Sequence, residues 1–375
     1  MDASVNRIPS SADERSLLVA IRLGAQDEDG VEQSLDELAM LVDTAGAVIV
    51  DRIVLRRQAL DAAHLIGRGQ IERISSIIAE KNIRLIVFDL NAVKPAQIRN
   101  LETIFKCRVV GRTEVILDIF ARRARSAESK IQVELAQLRY ILPRLKGLGG
   151  VLSRLGGGIG TRGPGEKMLE TDRRHILRRI AKLNDRLEEI SEHRKLIRRG
   201  RSGQVRGAVA GYTNAGKSTL LNLLARDDLF VEDRLFATLD AYTRIVYLDD
   251  ARKVLVTDTV GFINNLPANL VESFKSTLEE IRNAHFIIHV VDSTARDLSR
   301  NMRTVEKELA ALECSDIPTV LFFNKCDLLP STEALEAVRS RFPEAITGSA
   351  RTGEGIEELK RVMAGLYDSI LKAKS

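Results

Sequence analysis

The sequence predicts an α/β chain in three parts: a small N-terminal α/β domain, a central basic helical hairpin with a glycine-rich tip, and a C-terminal doubly wound, mostly parallel sheet. Three observations carry this prediction. Short apolar runs alternate with amphipathic stretches at both ends of the chain. Residues 121–205 hold 21 Lys and Arg against 9 Asp and Glu, a net +12, whereas the remainder of the chain sums to −7. Six glycines fall within residues 156–165, between two stretches of helical periodicity. The length of 375 residues suits two or three domains, and 44% hydrophobic with 29% charged residues excludes a wholly disordered or collagen-like chain. The sequence holds no apolar run near the roughly 18 residues of a membrane span and no signal-peptide stretch, so a cytoplasmic location is expected. Cys107, Cys314 and Cys326 lack CxxC spacing. They read as reduced packing residues rather than a disulfide or zinc framework.

Taken in order, residues 1–15 are rich in Asn, Pro, Ser and Asp without apolar periodicity, which predicts a flexible arm. Over 16–120, the runs SLLVAI (16–21), AVIV (47–50) and LIVFDL (85–90) predict buried strands, and amphipathic helices are expected near 30–44, 69–80 and 94–105. Gly67-Arg68-Gly69 has the first half of a dinucleotide fingerprint, but Glu72 stands at the third glycine position, so this segment reads as a turn. The hairpin is placed at 121–200. Ile131, Leu135, Leu138 and Leu142 mark one helical face, with Pro143 near its end. Leu169, Ile176, Ile180, Leu183, Leu187 and Ile190 mark a second helix over about 167–198. Between them, residues 156–165 are expected to be non-helical because of their glycines and Pro164. A segment this basic between acidic flanks points to a polyanion, most often nucleic acid. After a linker at Gly200–Gly203, the region 204–375 repeats strand, loop and helix. VRGAVAG (205–211), KVLVTDT (253–259), FIIHVVD (286–292), TVLFFNK (319–325) and AITGSA (345–350) are the strands, and RIVYLDD (244–250) is an expected antiparallel partner of the second.

In such sheets ligands bind beyond the carboxyl ends of the strands. There Gly211-Tyr212-Thr213-Asn214-Ala215-Gly216-Lys217-Ser218 matches GxxxxGK[ST] between a strand and a helix that continues through Thr219. Backbone N–H groups at such glycines converge on phosphate oxygens, Lys217 adds a cation, and Ser218 offers a hydroxyl to Mg²⁺. Asp258-Thr259-Val260-Gly261 follows the next strand: Asp258 can reach Mg²⁺ through water, and the Gly261 N–H can reach a γ-phosphate. Asn324-Lys325-Cys326-Asp327 follows another. The Asp327 carboxylate can accept from both N1–H and the 2-amino group of guanine, a donor pair that adenine lacks. Ser349-Ala350-Arg351, after the last strand, aims a backbone N–H at guanine O6. Phe262 occupies the place where Ras-like enzymes orient water with a glutamine, so slow intrinsic hydrolysis is expected.

With these motifs in hand, the sequence resembles the HflX family within the Obg-HflX group of translation-factor-related GTPases. The likeness extends from about residue 16 to the end, through HLIGRGQIE (64–72), LDIFARRARS (117–126), IQVELAQLRYILPRL (131–145), GGGIGTRGPGE (156–166), LETDRR (169–174), FATLD (236–240) and DTVGFINNLP (258–267). It departs at Lys167-Met168, where the family usually has Thr-Gln, and at Ala241-Tyr242, where it often has Pro-Thr. The resemblance implies a C-terminal G domain and hydrolysis of GTP to GDP and phosphate with Mg²⁺. It adds Phe236, Ala237, Thr238 and Leu239 to the GTP site, with Thr238 as the switch I threonine that senses γ-phosphate and Mg²⁺ alongside Ser218 and Asp258. Lys217, Thr238 and Gly261 become the expected catalytic set.

The resemblance also implies a monomer that binds the ribosome, chiefly the large subunit and its rRNA, and promotes GTP-dependent dissociation or rescue. Reversible association with ribosomes or a membrane surface would follow. Arg154 and Arg162, with Gly156, Gly157, Gly158, Gly160, Gly163 and Gly165, are the expected RNA contacts. Two alternatives are a regulatory switch that binds a protein effector and a GTPase-coupled RNA remodelling factor. The steep salt dependence of RNA contacts separates the first from the ribosome reading.

Overall fold

Strand β1 (Arg15–Leu23) carries six consecutive buried residues, Ser16 to Ile21, because a parallel strand is covered on both faces. The computed structural model describes residues 14–145, 164–199, 204–226, 235–264, 267, 270 and 275–374. Residues 1–13 of the N-terminal arm, the hairpin tip through Gly163 and the 200–203 linker named above lie outside them; at the arm's end the expectation is corrected, since Arg15 already opens β1 and Glu14 is buried. The described chain forms two compact units. Among these residues, one gathers 14–122, 130–145 and 164–188 with 267 and 270; the other gathers 123–129, 189–199, 204–226, 235–264 and 275–374.

In the first unit, β1, β2 (Val48–Arg57), β3 (Leu85–Phe88) and β4 (Arg108–Gly111) form a four-stranded sheet in the order β2-β1-β3-β4, parallel throughout. The connecting helices are α1 (Glu28–Thr44), α2 (Arg68–Lys81), α3 (Pro95–Phe105) and α4 (Arg112–Arg123). Local chemistry starts them. Asp27 accepts from the Gly30 N–H at 3.0 Å to cap α1. Pro95 opens α3, while Gln97 Oε1 accepts from the Lys94 N–H at 3.0 Å. The Gly67 turn caps α2 without a side-chain bond, packed against the Arg57 guanidinium. β4, which the sequence reading lacked, is only four residues long and is seen through its pairing with β3.

Helices α5 (Ala127–Leu145) and α6 (Pro164–Arg199) are the two arms of the hairpin. Leu135, Leu138 and Leu183 are buried together, with Ile131, Ile176, Ile180 and Leu187 packed on them. These are the alternating three- and four-residue steps of a two-helix seam. Arg179 clamps Glu134 through two bonds of 2.6 and 2.8 Å. One expectation is corrected: α6 already begins at Pro164, so Pro164 and Gly165 are helical. Proline suits a first helical turn because its missing N–H would have no partner there.

The second unit orders six strands as β10-β9-β8-β5-β7-β6. They are β5 (Arg206–Gly211), β6 (Tyr242–Tyr247), β7 (Lys253–Asp258), β8 (Phe286–Asp292), β9 (Thr319–Asn324) and β10 (Ile346–Thr347), with β6 alone antiparallel. Helices α7 (Lys217–Ala225), α8 (Lys275–Arg282), α9 (Leu298–Ala311), α10 (Thr332–Arg341) and α11 (Ile356–Lys374) complete it. Val209, Val256, Ile288, Phe322 and Leu359 are among its fully buried core residues.

Candidate nucleotide-binding site

The carboxyl ends of β5, β7, β9 and β10 surround a cavity of about 280 Å³. Its walls include Thr213, Asn214, Gly216, Lys217, Ser218 and Thr219 from the first loop, and Phe236, Ala237 and Thr238 from the stretch before β6. Thr259 and Gly261 come from the loop after β7; Asn324, Lys325, Asp327, Ser349, Ala350 and Arg351 come from the last two loops. Four separate sequence motifs therefore meet at one site. Gly211, Tyr212, Ala215, Leu239, Asp258, Val260 and Cys326 are not in its wall. They serve behind it: Gly211 and Tyr212 carbonyls accept from Lys217 Nζ at 3.3 and 2.9 Å, and Leu239 is buried at 2% exposure. Leu328, which the motifs did not indicate, does line the cavity.

The first loop needs its glycines for space as well as conformation. Gly216 has φ +88°, and a Cβ there would collide with the Asn324 amide nitrogen. A Cβ on Gly261 would stand 2.7 Å from Thr213 Cα and 2.9 Å from Lys217 Nζ. The Phe262 backbone bonds to this loop in both directions, Thr213 N–H to Phe262 O at 2.7 Å and Phe262 N–H to Gly211 O at 3.1 Å. The Phe262 side chain is buried at 3% exposure, consistent with a packing role.

Three oxygen-bearing side chains converge below the phosphate loop. Ser218 Oγ lies 2.5 Å from Asp258 Oδ2 and 2.6 Å from Thr238 Oγ1. Among the described residues, Asp258 Oδ1 is buried without a hydrogen-bond partner. Hard oxygen donors around an unsatisfied carboxylate oxygen suit Mg²⁺. Burial pushes the Asp258 carboxyl up, with Lys217 and the Ser218 hydroxyl opposing. Burial also pushes the Lys217 ammonium down to about 8, with Asp258 opposing. Both shifts express the cost of holding charge in a dry site.

At the other end, Asn324 joins two loops: its amide donates to Ala215 O and its carbonyl accepts from the Ala350 N–H, both at 2.8 Å. The Lys325 ammonium pairs with Asp292 Oδ2 at 2.8 Å, which fixes its stem. Asp292, at the end of β8, is a positioning residue missed by the motif reading; its place after an apolar strand was the available signal. Ser349 Oγ accepts from the N–H groups of Arg351 and Thr352 at 3.2 and 3.1 Å, ordering the last loop.

A mostly parallel sheet whose first strand enters a glycine-rich phosphate loop, with the other three GTPase loops closing the same cavity, defines a P-loop GTPase. The comparisons with known proteins agree. Residues 32–121 match the family model described as GTP-binding GTPase N-terminal, 123–201 the GTP-binding GTPase Middle Region, and 206–325 the 50S ribosome-binding GTPase model. The chain is 47% identical to GTPase HflX of Caldanaerobacter subterraneus over 348 residues, covering 92% of this chain and 79% of the relative. It is 40% identical to GTPase HflX of Escherichia coli over 354 residues, covering 93% and 82%. Among solved structures, a complex of SsGBP with GDP has the same fold, with a TM-score of 0.52 at 23% identity over 95% of this chain and 99% of that one. The chain belongs to the HflX family of GTPases, and its activity is the hydrolysis of GTP. Among the described residues, no helix is long and apolar enough to cross a membrane.

Proposed function

We propose that this protein is a cytoplasmic, monomeric GTPase that binds the large ribosomal subunit and promotes GTP-dependent ribosome dissociation or rescue. The observation that carries the nucleotide half is the convergence of four strand-end loops on one cavity, with Asp327 and the Ser349–Arg351 loop at one end and Lys217, Ser218, Thr238 and Asp258 at the other; the Ala350 N–H, expected to face the base, is donated to Asn324 instead. On this reading Asp327 accepts from N1–H and the 2-amino group of guanine, the last loop meets O6, and Lys325 lies along the base. Lys217 holds the outer phosphates, and the Gly261 N–H meets the γ-phosphate. Ser218 and Thr238 would hold Mg²⁺, with Asp258 reaching it through water. The ion would supply positive charge to offset that of the phosphates during transfer. Phe262 offers no hydrogen bond to an attacking water, so basal turnover is expected to be slow and to rise when ribosomes bind.

The ribosomal half is supported by the net +12 of residues 121–205 and by the match to a family model described as ribosome-binding. Arg154, Arg162 and the glycines up to Gly163 would approach rRNA, since arginine pairs bidentately with phosphate and stacks on exposed bases. Sedimentation of purified ribosomes with the protein and GTP, GDP or a non-hydrolysable analogue tests the proposal. Separated subunits are expected only with the triphosphate forms. Ribosomes that stay intact in all three, with turnover unchanged by their addition, would overturn it.

A further inference from the structure

The stretch between Leu235 and Asp240 is tethered at every second residue, each time to a different element. The Phe236 N–H donates to Thr213 Oγ1 of the phosphate loop at 3.0 Å. Thr238 Oγ1 meets Ser218 Oγ at 2.6 Å. The Asp240 carboxylate accepts from Ser126 twice, from Oγ at 2.5 Å and from the backbone N–H at 3.3 Å. The first two contacts belong to the nucleotide site already described. The third links this stretch to a residue 114 positions earlier in the sequence, in the same compact unit.

Ser126 is well prepared for that contact. It stands just before α5, and its Oγ accepts from the Ser129 N–H at 3.0 Å, which makes it the cap of that helix. A hydroxyl has one proton to give and two lone pairs to receive with. The Ser126 proton has two acceptors in reach, Asp240 Oδ1 at 2.5 Å and Ser129 Oγ at 3.0 Å, and the shorter, charge-assisted contact takes it, while a lone pair receives the Ser129 N–H. The carboxylate therefore sits at the positive end of a 19-residue helix. The first turn of α5 is itself held to the same unit: Arg194 pairs with Glu128 at 2.5 Å and approaches Glu280 of α8 at 3.9 Å. Asp240 is thus fastened to a braced support. Only Leu239, 2% exposed, separates it from Thr238, and two residues of extended chain span only about 7 Å. Displacing Asp240 by a few ångströms must drag Thr238 with it.

We propose that Asp240, held by Ser126, is a positioning residue for GTP hydrolysis: the contact fixes the Thr238 hydroxyl against Ser218 and Asp258, and so favours the triphosphate–Mg²⁺ state over the diphosphate state. The inference rests on the reading of Ser218, Thr238 and Asp258 as the Mg²⁺ side of the site. It is independent of ribosome binding.

The test uses the full chain and the variants Asp240→Ala, Ser126→Ala, Ser126→Thr, the double Asp240→Ala/Ser126→Ala, and Thr238→Ala as reference. Affinities for GDP and for a non-hydrolysable GTP analogue are measured with Mg²⁺, together with kcat, KM and hydrogen exchange over residues 235–241. Asp240→Ala and Ser126→Ala should each lower analogue affinity and kcat by about tenfold, the scale of one hydrogen bond to a charged group. GDP affinity should stay within about twofold, and exchange over 235–241 should rise. The double variant should be no worse than the single ones, because one contact is lost in all three. Ser126→Thr, which keeps the hydroxyl and the cap, should restore the wild-type preference. Equal losses for GDP and analogue, or additive losses in the double variant, would overturn the inference. So would normal behaviour of Asp240→Ala beside a defective Thr238→Ala, which would leave the Mg²⁺ reading standing. If Thr238→Ala itself keeps the wild-type preference for the analogue, both the reading and the inference fall.

Discussion

In the N-terminal unit the carboxyl ends of the central strands close over Arg112, whose guanidinium is fully buried and shared between Glu37 of α1 and Asp89 after β3, the latter at 2.9 Å. Beside it, Glu114 accepts from the Gly111 N–H at 3.0 Å and bonds the Tyr140 hydroxyl, while Thr113 donates to Asn91 O at 2.7 Å. In the C-terminal unit the corresponding strand ends surround a cavity, and Asp258 Oδ1 remains buried without a partner. Both units are built on parallel or mostly parallel sheets with helical connections. The difference lies in what occupies the strand ends: in one unit a buried guanidinium is paired with two carboxylates and closes the edge, and in the other the loops stand apart around a cavity beside a buried carboxylate.

The largest expected effect tests the closed edge. Arg112→Ala leaves two carboxylates buried without their cation, a change that costs about 3–5 kcal/mol. Denaturant unfolding should show the N-terminal unit melting early, while GTP binding persists in the folded C-terminal unit. Replacing Arg112, Glu37 and Asp89 together by Leu should recover most of that loss, since an apolar plug of similar volume needs no pairing. If the triple variant is no more stable than the single one, the cluster does more than fill the edge.

Next, Lys217→Ala removes the buried cation from the open edge and should weaken GTP by about 2–5 kcal/mol in a titration, without moving the unfolding midpoint of the N-terminal unit. Asp327→Asn is expected to cost about 1.5–3 kcal/mol in GTP affinity and to shift preference towards a xanthine nucleotide, whose 2-oxo group can pair with the amide. Unchanged competition between GTP and ATP in that variant would remove Asp327 from base recognition.

The smallest effect concerns acid. A hydrogen bond from the Lys81 ammonium holds the Asp51 carboxyl below its usual range, and the His64 and Ala63 N–H groups do the same for Asp61. Both groups favour the folded N-terminal unit at neutral pH. The contribution is lost as pH falls below about 4, through their lowered folded values. Lys81→Met should flatten that acid limb slightly in thermal melts across about pH 3–5, leaving the neutral midpoint almost unchanged because the pair is partly exposed.

Features whose causes are local can be read directly from the residues. The phosphate loop from Gly211 to Ser218 is contiguous, and its glycines, lysine and serine announce both the strand-to-helix turn and its anion chemistry. The Asn324 to Asp327 loop and the alternation of apolar runs with amphipathic stretches are legible for the same reason. The apolar faces that carry Leu135, Leu138 and Leu183 follow from helical periodicity, and their packing on one another is seen in the fold. Features that depend on partners far along the chain emerge only in the fold. Arg112 and the helix it opens went unmarked in the sequence reading, and only the approach of Glu37 and Asp89 makes the residue the plug of a core. β4 is too short to signal itself and exists through its pairing with β3. The Ser126–Asp240 contact joins a helix cap to the stretch that carries Thr238 across 114 residues, and no local pattern encodes it, because a carboxylate's partner is chosen by the space it folds into.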